Sequence, residues 1–113
     1  MLDAGVRVAL SSDAPVVEDD NPLAGMTAAI TRRDDEGQWI AREQAITAGE
    51  ALRAYTLGGA VASGDETNRG SVEPGKWADL AVLSGHPLTA HAEALPAITV
   101  DMTLVAGRIV YER

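Results

Sequence analysis

An apolar run, Val6-Arg7-Val8-Ala9-Leu10, leads through Ser11-Ser12 into the carboxylate of Asp13, and Ala14-Pro15 follows at once. An acid at the C-terminal end of a barrel or α/β strand stands where such folds build their active sites. A carboxylate placed there can exchange a proton with a reacting water or a leaving group. The same Asp-Ala-Pro order is also ordinary chemistry for ending a strand and opening a loop. The two histidines of the chain, His86 and His91, lie in Ser84-Gly85-His86-Pro87-Leu88-Thr89-Ala90-His91. Imidazole is a common zinc ligand, but the Gly and Pro around it mark a loop, and the reading here is two surface histidines. Cysteine is absent, which excludes disulfides and thiolate metal sites.

The element that must position Asp13 is a strand over Val6–Ser12. Downstream, Asn21-Pro22 suits an N-cap followed by the first helical position, and Leu23, Met26 and Ile30 recur at helical spacing. That helix is expected to end near Arg32-Arg33, whose charge suits a helix C-terminus. Thr47-Ala48-Gly49-Glu50 has the form of a capping box and opens a second helix. Its inner stripe would be Ala48, Ala51, Leu52, Tyr55, Gly59 and Ala62, a core-packing pattern. Gly58-Gly59 costs about 1 kcal/mol per residue relative to alanine inside a helix, so a break or a close backbone approach is expected there. From Gly70 the period becomes that of strands. Trp77–Leu83 reads as a strand covered on both faces apart from Asp79. Ile98–Tyr111 reads as a hairpin turning at Ala106-Gly107, pairing Leu104 with Ile109, Met102 with Tyr111, and Asp101 with Glu112.

The order Ser12-Asp13-Ala14-Pro15, Glu50-Ala51-Leu52, Tyr55-Thr56, Gly70-Ser71-x-x-Pro74-Gly75-Lys76-x-Ala78-Asp79-Leu80 and Thr103 to Tyr111 resembles the C-terminal part of the metal-dependent amidohydrolase superfamily, in the branch that includes formamide-deformylase-like enzymes. The resemblance implies an α/β fold: the C-terminal fragment of a (β/α)8 barrel, last strand plus helices in residues 1–66, followed by strands of a small β-sandwich in residues 67–113. Folded alone, the piece would be α+β. At 113 residues it is far short of the ~250 of a whole barrel. Asp13 would match the aspartate ending the eighth strand, a metal contact and catalytic proton carrier. A divalent metal, zinc in the first instance, is implied for the intact enzyme. The family's His-x-His and its other ligands find no match here, so the isolated chain is expected to hold none.

The implied function is a portion of a metal-dependent hydrolase acting on non-peptide C–N bonds of a small-molecule amide, inactive as an isolated chain. The alternative is a non-catalytic remnant serving only as an α+β oligomerisation module. Composition bears on partners. Net charge is −8, with acids at Glu18-Asp19-Asp20, Asp34-Asp35-Glu36 and Asp65-Glu66, runs that read as solvated loops. An acidic chain without a basic patch is a poor nucleic-acid binder, and no apolar stretch reaches 18 residues, so no membrane span is expected. Zero cysteines fit a cytoplasmic protein. Alanine accounts for 20 residues, Val, Ile and Leu for 25, and Phe is absent. So thin a core, beside a strand with unpaired edges, predicts a homo-oligomer.

Overall fold

The computed structural model describes residues 2–16, 19–34 and 36–113. Glu18 and Asp35, members of two of the acidic runs, lie outside them. Three helices come first, α1 (Pro22–Thr31), α2 (Ala48–Tyr55) and α3 (Leu57–Ala62), followed by strands β1 (Leu80–Leu83), β2 (Val100–Val105) and β3 (Arg108–Glu112).

Both helix starts form as local chemistry predicts. The Asn21 side chain accepts from the Leu23 amide at 3.0 Å, with Pro22 in the first turn where its missing N–H leaves no gap. The α1 C-cap is Arg32, in the left-handed region at φ 53. In α2, Thr47 Oγ1 accepts from Glu50 N at 3.2 Å while Glu50 Oε2 accepts from Thr47 N at 2.7 Å. Thr47 Oγ1 also donates to Glu50 Oε2 at 2.7 Å, and the bonds from Thr47 N and then Thr47 Oγ1 hold the Glu50 carboxyl below its ordinary range. The expected break falls at Thr56 (φ −109, ψ −86), ahead of the two glycines. Gly58 serves the other expected purpose. A Cβ there would collide with the Val8 carbonyl and lie 3.2 Å from Ala9 Cα, so only glycine lets α3 meet the N-terminal segment backbone to backbone.

Leu23 and Met26 of α1, Ala51 of α2 and Leu95 of a 3-10 segment over Ala92–Ala97 form the buried core, flanked by Ile30, Ile46, Leu52, Tyr55 and Ile98. Thr27 Oγ1 reaches Ala92 O at 2.9 Å and ties α1 to that segment. Of the six buried apolar residues among those described, three are alanines, Ala51, Ala54 and Ala60, which keeps the core thin. Ala54, three residues on from Ala51 on the same face of α2, joins the expected stripe, whereas Ala62, past the break at Thr56, is exposed.

The sheet is antiparallel in the order β1-β2-β3. The β2–β3 turn is Ala106-Gly107, with φ 48 and 77, the two positive values a type I′ hairpin requires. Leu104 pairs with Ile109 as expected, but a bulge then shifts the register, so that Thr103 faces Tyr111 and Met102 faces Glu112. Val110 is the extra residue. The shift also corrects the expected Asp101–Glu112 pairing, replacing two like charges with a favourable contact: Arg113 N donates to Asp101 O at 3.0 Å, and its Nη1 lies 4.0 Å from Asp101 Oδ1.

Two further expectations need correction. Val6–Ser12 is not a ladder strand, since no strand among the described residues pairs with it; one tie, Leu10 N to Ala54 O at 3.2 Å, holds it to α2. The strand over Trp77–Leu83 shortens to Leu80–Leu83 and is not covered on both faces. Ala81, Val82 and Trp77 are exposed because no second layer of the described residues overlies them.

Candidate active site

Asp13 ends the extended segment in the left-handed region, at φ 58. Aspartate is one of the few residues that visit this region without a large cost. Ser11 Oγ accepts from Asp13 N and Ser12 Oγ from Ala14 N, both at 3.3 Å, and Asp13 O accepts from Val16 N at 2.9 Å. The serines and the turn therefore fix the backbone on both sides of Asp13, while its carboxylate is left exposed and without an ion pair among the described residues. The arrangement suits a carboxylate that must exchange protons with another molecule.

No group of three His, Cys, Asp or Glu among the described residues is placed to hold a metal ion. Asp13 can offer one ligand, and the donor set of a catalytic metal is not met by the residues around it. His86 and His91 stay apart from Asp13 in roles of local structure. His86 Nδ1 accepts from Leu88 N at 3.3 Å and its carbonyl closes the following turn, while His91 precedes the 3-10 segment. Both are exposed.

Two clefts flank the helices, and Asp13 lines neither. The first, about 510 Å³, runs between the Gly5–Val8 backbone and α2–α3, with Arg53, Glu66 and Lys76 in its wall. The second, about 810 Å³, separates α2–α3 from β1 and is lined largely by apolar side chains such as Leu52, Leu57, Leu80 and Leu88.

The Gly-Ser-x-x-Pro-Gly-Lys-x-Ala-Asp-Leu stretch proves to be a joint between loop and sheet. Lys76 Nζ donates to Ser71 Oγ at 2.6 Å and pairs with Glu73 at 3.2 Å. The Ser71 hydroxyl, and after it Lys76, hold the Glu73 carboxyl below its ordinary range. Asp79 Oδ1 accepts from Ala106 N at 2.7 Å, which anchors the hairpin turn, and Arg69 lies 3.4 Å from its other oxygen. Arg69 also pairs with Asp65 and stacks on Trp77, 4.6 Å from the ring centroid. Asp65, in this network, and Glu66, in the wall of the first cleft, are half-buried rather than a solvated run. The sequence pattern signalled neither this network nor a second cation–π cluster in which Arg33 and Arg42 flank Trp39.

Residues 1–111 match the model of the amidohydrolase family. Over its whole length the chain is 42% identical to an N-substituted formamide deformylase of Arthrobacter pascens, of which the match covers 21%. It is 33% identical to an imidazolonepropionase of Porphyromonas gingivalis over 98% of this chain and 24% of that protein. The crystal structure of an amidohydrolase from Thermotoga maritima superposes with a TM-score of 0.74 at 28% identity, covering 99% of this chain and 24% of that one. The chain thus spans about a fifth to a quarter of the length of the relatives it matches.

Proposed function

The chain belongs to the amidohydrolase family, and from that premise we propose that it is a portion of a metal-dependent hydrolase that cleaves non-peptide C–N bonds of small-molecule amides, with Asp13 as its proton-carrying carboxylate and a metal contact. The observation that carries the reading is the exposed Asp13 carboxylate, held on a left-handed turn by Ser11 and the Val16 amide at the end of the extended segment. Relatives named for N-substituted formamides and for imidazolonepropionate support a small C–N substrate.

In this reading water adds to the acyl carbon, the C–N bond breaks, and Asp13 takes a proton from the water and returns it to the leaving nitrogen. A divalent metal, zinc in the first instance, acidifies such a water when bound. The residues described here do not complete a site for it, so its remaining ligands belong to other parts of the intact enzyme. Residues 1–66 then form the end of a barrel and residues 67–113 part of a small β-sandwich.

Asp13→Asn in the intact enzyme tests the assignment. The side chain keeps its size and loses its proton-carrying capacity, so kcat should fall by about 10²- to 10⁴-fold with the fold unchanged by circular dichroism. Activity within about tenfold of the parent would leave Asp13 a mere loop-opening residue.

A further inference from the structure

Asp13 ends a segment whose placement is decided earlier in the chain. Val8 and Ala9 meet α3 backbone to backbone at Gly58, where an added Cβ would strike the Val8 carbonyl and lie 3.2 Å from Ala9 Cα. Leu10 N then donates to Ala54 O of α2 at 3.2 Å. Beyond Leu10 every hydrogen bond of the segment is internal: Asp13 N to Ser11 Oγ, Ala14 N to Ser12 Oγ, and Val16 N to Asp13 O. Among the described residues, Leu10 to Ala54 is thus the one hydrogen bond that joins residues 6–16 to the rest of the chain.

The consequence is mechanical. The turn around Asp13 is closed on itself, so it travels with the segment, and the segment takes its position from α2 and α3 at Val8, Ala9 and Leu10. A contact made by backbone atoms has no rotamer to absorb a displacement, and a packed interior transmits strain rather than dissipating it. Neither tie depends on an exposed side chain.

Resting on the assignment of Asp13 as proton carrier, we propose that Gly58, together with the Ala54 carbonyl, positions the Asp13 carboxylate for proton exchange. Gly58 is a positioning residue and touches no reacting atom. It acts by lacking a side chain at the place where α3 sets how closely the segment lies against the helices. A methyl group there forces the segment back by about 1 Å to regain ordinary contact. Misplacement of about 1 Å, even from a change remote from the chemistry, can cost about 10²-fold in rate. Gly59 supplies a matched control, since a Cβ there meets nothing within 4 Å.

Gly58→Ala and Gly59→Ala in the intact enzyme test the assignment, with circular dichroism to confirm folding. Gly58→Ala should lower kcat by about 10- to 10²-fold with KM unchanged, while Gly59→Ala keeps the parent kcat. Hydrogen exchange over residues 8–14, read by mass spectrometry, should quicken in Gly58→Ala alone. On an Asp13→Asn background Gly58→Ala should lower kcat no further, because groups that act as a unit are not additive; a general weakening of the fold would lower it equally on both backgrounds. If Gly58→Ala does not fold, an ester in place of the Leu10 amide removes the donor to Ala54 without altering a side chain, and the same loss of kcat, absent on Asp13→Asn, is expected. A parent-like kcat in a folded Gly58→Ala or in the ester variant, an equal loss in Gly59→Ala, or a loss repeated in full on Asp13→Asn would overturn the proposal while leaving Asp13 its role. A parent-like kcat in Asp13→Asn itself would overturn the role of Asp13 and the proposal with it.

Discussion

Gly58 and Gly59 are neighbours in the first turn of α3, and the structure gives alanine opposite signs at the two positions. At Gly59 an added Cβ meets nothing within 4 Å, so Gly59→Ala gains helix propensity and restricts the unfolded chain, a stabilisation of about 0.5–1 kcal/mol. At Gly58 the same Cβ would be driven into the Val8 carbonyl and would lie 3.2 Å from Ala9 Cα and 3.3 Å from Val8 C. All three atoms are backbone, so no side-chain rotation relieves them, and overpacking of this kind costs about 1–3 kcal/mol. The segment can escape by lifting off α3. It then loses the Leu10–Ala54 hydrogen bond, worth about 1 kcal/mol, together with the partial burial of Val8 and Leu10. Set against a propensity gain of up to about 1 kcal/mol, Gly58→Ala should range from neutral to destabilising by about 2 kcal/mol. The propensity gain is common to both variants, so their difference isolates the clash at about 1–3 kcal/mol. Urea unfolding followed by circular dichroism, compared at equal m-value, measures it. Hydrogen exchange at the Leu10 amide should quicken only in Gly58→Ala. Equal midpoint shifts in the two variants, with Leu10 protection unchanged, would refute the close approach of α3 to Val8.

The capping box carries a pH signature. Because the Thr47 bonds lower the Glu50 pKa in the folded chain, their contribution is fully present above the unfolded pKa and is lost as pH falls through the folded one. Glu50→Gln should flatten the acid limb of a melting-temperature profile, and an unaltered limb would contradict this. Thr47→Ala should cost about 1 kcal/mol at neutral pH, read in the same urea assay. The 113-residue chain, dialysed and subjected to elemental analysis, is expected to retain no stoichiometric zinc. One tightly held metal per chain, lost in Asp13→Ala, would show the donor set to be complete.

What the sequence determined by itself is chemistry closed within a few residues. Asn21-Pro22, Thr47 with Glu50, and Ala106-Gly107 each satisfy or bend the backbone locally, so both helix starts and the hairpin turn follow from residue type and spacing. Family membership was legible for a related reason: its motifs lie along the whole chain, and the match spans residues 1–111. Asp13 could be singled out by type and place, but its left-handed backbone needed the turn to Val16 to define it. Tertiary structure decided whatever depends on a distant partner. A strand exists only when another pairs with it, and Val6–Ser12 finds none among the described residues, so its apolar pattern yields an extended segment on α2 and α3. One extra residue at Val110 changed which side chains face each other beyond it, bringing Arg113 rather than Glu112 to Asp101. Asp79 and Arg69 are ten residues apart, and Asp79 reaches the hairpin turn at Ala106 across the sheet. Pattern reading reaches neighbours along a helix or strand; the contacts that join loop, sheet and helices are fixed only once the chain has closed on itself.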